Sequence, residues 1–184
     1  PVAGENMTKA TSELDVPIRI VTSDWRESKD LKIACLKAST PELEQGTDLG
    51  IASALYGEAA KEGIKDIILG HSFRTEGISP LEWNYMDGHY LKSVHDKFGS
   101  HPLRPWRPED PGFNLRLPHM FYYAVVRRIR SHTVLDHMQY VRADVTQAIE
   151  QNLGWVNPGA HYFDDLYQSL YTYVLRRKFG IDRR

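Results

Sequence analysis

Met7, Ala10 and Leu14 fall at spacings of three and four, which predicts a helix over residues 2–14, closed by Asp15 and Pro17. Residues 18–21, Ile-Arg-Ile-Val, are apolar and β-branched and predict a short strand, with Ser23, Asp24 and Trp25 as the turn after it. Leu31, Ala34 and Cys35 share one face of a helix over 27–37, broken by Ser39, Thr40 and Pro41. The clearest helix covers 48–62. Ile51, Leu55 and Ala59 repeat there at spacing four, with Thr47 or Asp48 as N-cap and Gly63 as a left-handed C-cap. Residues 66–70, Asp-Ile-Ile-Leu-Gly, are apolar enough for a parallel strand covered on both faces.

Beyond residue 78, Trp83, Tyr85 and Tyr90 give an aromatic run that leads into a helix ending near Phe98. Pro102, Pro105, Pro108 and Pro111 then mark a stretch without helical period. Helices are predicted at 118–131, 142–152 and 163–176. Helix, strand, helix, helix, strand with short connections is the signature of a parallel α/β sheet. The expected organisation is a partial nucleotide-binding α/β domain over 1–99, a proline-rich connector over 100–117, and a helical C-terminal region over 118–184. In such a sheet ligands sit beyond the carboxyl ends of the strands. That rule singles out residues 23–27 and 70–77.

Composition narrows the class without changing this picture. Of the 184 residues, 41% are hydrophobic and 26% charged, which excludes disordered and fibrous chains. No apolar run reaches the roughly 20 residues that span a bilayer, and the first residues lack the features of a signal peptide. One cysteine, Cys35, excludes an internal disulfide and a cysteine-rich metal site. A cytoplasmic protein is expected. Residues 1–100 carry 11 Lys and Arg against 16 Asp and Glu, and residues 101–184 carry 12 against 8. The basic half either faces a phosphate-bearing ligand or is a solvated helical surface.

The loop at residues 70–77, Gly-His-Ser-Phe-Arg-Thr-Glu-Gly, carries the most chemistry. Gly70 and Gly77 let backbone approach a ligand. His71, Ser72 and Thr75 offer donors and acceptors, Glu76 a carboxylate, and Arg74 a cation for phosphate. Thr47 and Asp48 at a helix start suit either an anion or a plain cap. Trp25, beside Asp24, either stacks on a base or covers the sheet edge. The eight histidines show no His-x-x-x-His spacing, so no zinc site is expected. Neither a Gly-x-Ser-x-Gly elbow nor a Walker-type phosphate loop occurs.

Several runs together resemble the N-acetyl sugar amidotransferases of the PP-loop ATP pyrophosphatase superfamily. They are residues 24–31 (Asp-Trp-Arg-Glu-Ser-Lys-Asp-Leu), 36–39 (Leu-Lys-Ala-Ser), Thr47 with Asp48, and 70–77 with Ile78 and Pro80. Trp83, Lys92, His95, Phe98, Gly99, Gly154, Trp155 and residues 177–182 (Arg-Lys-Phe-Gly-Ile-Asp) continue the likeness over nearly the whole chain. The resemblance implies a partial Rossmann-like (PP-loop/HUP-type) parallel sheet with a helical appendage. It implies an enzyme of lipopolysaccharide O-antigen biosynthesis that uses ATP with Mg²⁺ to adenylate the acetamido group of a nucleotide-linked sugar. Ammonia from a separate glutaminase then displaces AMP. Glu76 and Asp48 would be the catalytic carboxylates. Gly70, His71, Ser72, Thr75, Gly77, Asp24, Trp25 and Thr47 would bind nucleotide, and Lys92 and His95 the sugar substrate. No protein-held metal, nucleic acid or membrane span is implied.

The sequence departs from that family in one major respect. The phosphate loop Ser-Gly-Gly-Lys-Asp-Ser is absent. Gln45 and Gly46 stand where an apolar residue and Pro are usual, and Phe163 and Asp164 where an acidic residue and Ser are usual. Two early strands and a helix of the family's order are therefore expected to lie in a longer parent or to come from a second copy, and these residues by themselves are expected to be inactive. Two other classes fit the same residues: a tRNA-modifying PP-loop ligase and a non-catalytic assembly protein.

Overall fold

The computed structural model describes residues 2–40, 43–76, 87–107, 112–157 and 166–181. They form a mostly helical α/β protein with a small parallel sheet of two strands. The chain divides into two compact units: residues 21–139, and residues 1–20 with 140–184.

In the unit of residues 21–139, α2 (Trp25–Ala38) starts at Asp24, whose Oδ1 accepts the Arg26 N–H at 2.8 Å. Helix α3 (Gln45–Glu62) ends at Gly63, whose φ of 74° is the left-handed cap expected of a glycine. Strand β1 (Asp66–Leu69) follows, then the single turn α4 (Phe73–Glu76) and α5 (Gly88–Phe98), capped by Asp87. Helix α6 (Leu117–Phe121) runs into a π-helical turn (Tyr122–Val126), and β2 (Arg130–Thr133) leads into a 3₁₀ turn (Val134–His137).

The core of this unit lies where α2, α3 and α5 meet, around Leu31, Ala34, Cys35, Leu49 and Leu91, closed by Phe113, Leu115 and Tyr123. A side chain at Gly46 would collide with Leu31, so Gly46, which with Gln45 stands where an apolar residue and proline are usual, permits close packing of α3 on α2. The buried face of α3 matches the expected one only in part. Gln45, Gly46, Leu49, Ser53, Gly57, Ala59 and Ala60 face inward, so of the expected stripe Ala59 is buried, whereas Ile51 and Leu55 are 54% and 40% exposed. Small residues let the backbones approach, and that decides the face over the larger apolar side chains.

β1 and β2 pair in parallel, with Asp66 opposite Arg130 and Leu69 opposite Thr133. The strand over 66–70 is thus confirmed, but its expected cover on both faces is not: Ile67 is 8% exposed and Ile68 75%. The helix predicted over 118–131 ends early. Arg128 takes a left-handed φ of 57°, and the Arg130 N–H bonds Lys65 O at 2.7 Å, which starts the strand. Residues 130–133, Arg-Ser-His-Thr, have no apolar pattern to announce a strand.

In the other unit, α1 (Val2–Glu13) packs with α7 (Arg142–Leu153), which ends at Gly154. Asn6, 2% exposed, donates from Nδ2 to Val156 O at 2.8 Å and accepts the Val156 N–H on Oδ1 at 2.9 Å. Its amide thereby mimics a peptide pair and ties α1 to the segment after α7. Helix α8 (Leu166–Val174) continues into a π-helical turn (Leu175–Phe179). The predicted strand at 18–21 is not formed: the segment is irregular, and Ile20 is 74% exposed. It has no partner strand among the described residues, and β propensity without pairing does not make a strand. Because α1 packs with α7, these units cut across the segments 1–99, 100–117 and 118–184 read from the sequence. No helix among the described residues is long and apolar enough to cross a membrane.

Candidate functional site at the carboxyl edge of the sheet

Parallel pairing sends both strands out of the sheet at the same edge. From β1 come Gly70, His71 and Ser72; from β2 comes the turn Val134–His137. Ser72, 4% exposed, caps α4: its Oγ accepts the N–H of Arg74 at 3.2 Å and of Thr75 at 3.3 Å. Thr75 closes the turn, accepting the Ser72 N–H on Oγ1 at 2.8 Å and donating to Ser72 O at 3.0 Å. Asp136, from the β2 side, accepts the Phe73 N–H at 3.2 Å. The backbone donors of residues 72–75 are therefore all engaged within the protein. These four N–H groups are not open to a phosphate. What the loop presents outward is the Gly70 backbone, with open space around it, and the exposed side chains of His71, Phe73 and Arg74. Arg74 lies 5.2 Å from the Phe73 ring centroid. Glu76 closes α4, and Gly77 lies outside the described residues, as do Ile78, Pro80, Trp83, Phe163 and Asp164.

The other residues singled out by sequence fall into separate groups. Asp24 is the cap of α2, and chiefly the Arg26 N–H holds its carboxyl below the ordinary range. Trp25 is 68% exposed. The cap of α3 is Glu44, not Thr47 or Asp48, which sit in its first turn. Thr47 Oγ1 donates to Glu44 Oε2 at 2.5 Å, and Lys32 Nζ reaches the same carboxylate at 2.7 Å. Asp48 is exposed, and its N–H bonds Glu44 O at 3.0 Å.

Lys92 and His95 share α5 but diverge. Lys92 is exposed and bonds Asp96 at 2.7 Å. His95 is 6% exposed, with Nε2 at 2.7 Å from Asp30 Oδ2. Asp30 also accepts the Ser100 N–H and hydroxyl and the His101 N–H, all within 2.9 Å. Burial opposes its charge. The Ser100 hydroxyl, the His101 and Ser100 N–H groups and His95 outweigh that and hold its carboxyl well below the usual range. Beside it, Glu27, 2% exposed, accepts the Arg104 N–H at 2.6 Å and Nε–H at 3.0 Å. His95 is thus a buried member of a network that ties the segment after α5 to α2. The pattern reading overlooked Glu27 and Asp30, although both share the face of Leu31, Ala34 and Cys35. Two carboxylates on a buried stripe were the signal.

Among the described residues no group of three or more His, Cys, Asp or Glu converges to hold a metal ion. Magnesium commonly rides on substrate phosphates with few protein ligands. The described residues offer it no cage. Comparison with protein-family models, with curated proteins and with solved structures found no match.

Proposed function

We propose that the chain belongs to an ATP-dependent sugar amidotransferase of Rossmann-like, PP-loop type, in which the edge formed by residues 70–75 and Asp136 faces the nucleoside part of ATP. The observation that carries this reading is the parallel pairing of β1 and β2, which sends both following turns out at one carboxyl edge, where open parallel sheets take their ligands. The filled backbone donors of residues 72–75 agree with a nucleoside-side role, since phosphates need unfilled ones.

On this reading the acetamido oxygen of a nucleotide-linked sugar attacks the α-phosphorus of ATP, and pyrophosphate leaves. Ammonia from a glutaminase adds to the activated carbon, AMP departs with the oxygen, and a carboxylate or water takes the surplus proton. Adenylation is needed because an amide oxygen is a poor leaving group. Glu76 and Asp48 are the carboxylates proposed for the proton, and Lys92 is proposed to face the sugar.

Deleting the coding sequence in the source cells tests this. The expected result is surface polysaccharide that keeps its acetamido sugars and loses acetamidino groups. Unchanged acetamidino content, or none in the parent cells, would rule the reading out.

A further inference from the structure

A second feature of the unit of residues 21–139 does not involve the sheet edge. A cavity of about 370 Å³ is lined by Lys92, Arg104, Trp106, Asn114, Arg116 and His119, with Leu103 and Pro105. That volume falls within the range of small-molecule pockets, roughly 300–1,000 Å³. Its charged lining is all cationic. Lys92 and Arg104 each hold a carboxylate that is not itself in the lining, Asp96 and Glu27 respectively.

Two polar atoms in the lining residues are buried without a hydrogen-bond partner: Trp106 Nε1, a donor, and Asn114 Oδ1, an acceptor. Asn114 is 7% exposed, and its Nδ2 is already committed to Arg104 O at 2.6 Å. A buried polar atom with no partner costs about 1–3 kcal/mol, so two in one cavity call for an explanation. Trp106 packs against two rings: His119 stacks on it at 3.8 Å between centroids and 9° between planes, and Tyr123 meets it edge-on at 6.3 Å. His119 Nδ1 accepts the Arg116 N–H at 3.1 Å, which leaves Nε2 as the protonated nitrogen of the neutral ring. Burial, then the Arg116 charge, hold its pKa below the ordinary histidine value despite Asp87. The ring is therefore a neutral donor at physiological pH.

We propose that this cavity binds a phosphate ester whose organic part carries hydroxyl or amide groups, with the phosphate against Arg116 and Lys92 and the polar organic part against the Trp106 N–H and Asn114 carbonyl. Cations alone would accept any anion. The buried donor and acceptor select an ester that presents an acceptor and a donor beside its phosphate, as sugar phosphates and nucleotides both do. The inference stands whether or not the amidotransferase reading holds.

The test is titration of the ¹⁵N-labelled full chain with inorganic phosphate, glucose 1-phosphate and UMP. The indole signal missing from Trp106→Phe identifies Trp106. The expected result is a saturable shift of that signal with at least one ester, at lower concentration than with inorganic phosphate. Whichever ester binds tighter identifies the source. Calorimetry on Arg116→Gln should show about tenfold weaker binding of that ester, the loss expected for a charge-assisted hydrogen bond. An unmoved Trp106 signal, a response no stronger with esters than with inorganic phosphate, or full affinity in folded Arg116→Gln would each overturn the proposal.

Discussion

Asp30 shows how one side chain organises the segment after α5. Its carboxylate gathers four hydrogen bonds from His95, Ser100 and His101. Asp30→Asn keeps the shape but turns part of this acceptor surface into a donor. We expect it to lose about 2–3 kcal/mol at neutral pH, read by urea denaturation. The pH dependence follows from the direction of the shift. A carboxyl whose folded pKa lies below its unfolded value stabilises fully above the unfolded value, near 3.9, and loses that contribution as pH falls below it. The gap between wild type and Asp30→Asn should therefore narrow below about pH 4. A gap that stays constant into acid would show that the hydrogen bonds to Asp30 do not depend on its charge. A side chain at Gly99 would run into the His95 ring, so the Phe98-Gly99 pair in the sequence reflects this packing.

At the scale of elements, the two-stranded sheet leans on one face only. Ile67 is buried and Ile68 is exposed, although the two are neighbours of identical chemistry. Ile67→Ala should cost about 2–4 kcal/mol and Ile68→Ala under about 0.5 kcal/mol in the same denaturation experiment. Equal losses would mean that both faces of β1 are covered. Apolar periodicity, with cap residues, placed α1, α2, α3, α5 and α7 close to their observed ends, although the apolar residues that marked α1 and α3 are largely exposed: Met7, Leu14, Ile51 and Leu55 are 50%, 59%, 54% and 40% exposed. It could not find β2, whose Arg-Ser-His-Thr sequence is held by backbone pairing and by Asp66, which takes His132 at 2.8 Å and Arg130 at 3.2 Å. It also placed a strand at 18–21, where apolar residues lie exposed without a partner strand among the described residues. Strand formation depends on a neighbour, and a single segment carries no record of its neighbour.

At the scale of the molecule, the loop over 70–75 was legible as a strand exit with polar groups, and the structure gives it a specific form. Ser72 and Thr75, read as ligand donors, spend their hydrogen bonds on shaping α4, while Gly70 and His71 face outward. Asp136 joined this edge without any sequence signal, since residues 63 positions apart meet only through the parallel register. The cavity of Lys92, Trp106 and Arg116 was equally hidden: its lining comes from α5, the proline-containing stretch and the start of α6, which share no motif.

The nucleoside-facing edge is tested most directly by titrating the ¹⁵N-labelled chain with AMP and following backbone amides. Because the sequence carries no Ser-Gly-Gly-Lys-Asp-Ser phosphate loop, binding at the edge should be weak, with shifts at Gly70, His71, Ser72 and Thr75 together with Asp136 and His137, separate from any shifts at the cavity of Trp106 and Arg116. Shifts confined to the cavity of Trp106 and Arg116, or no response at millimolar AMP, would contradict the nucleoside-facing edge.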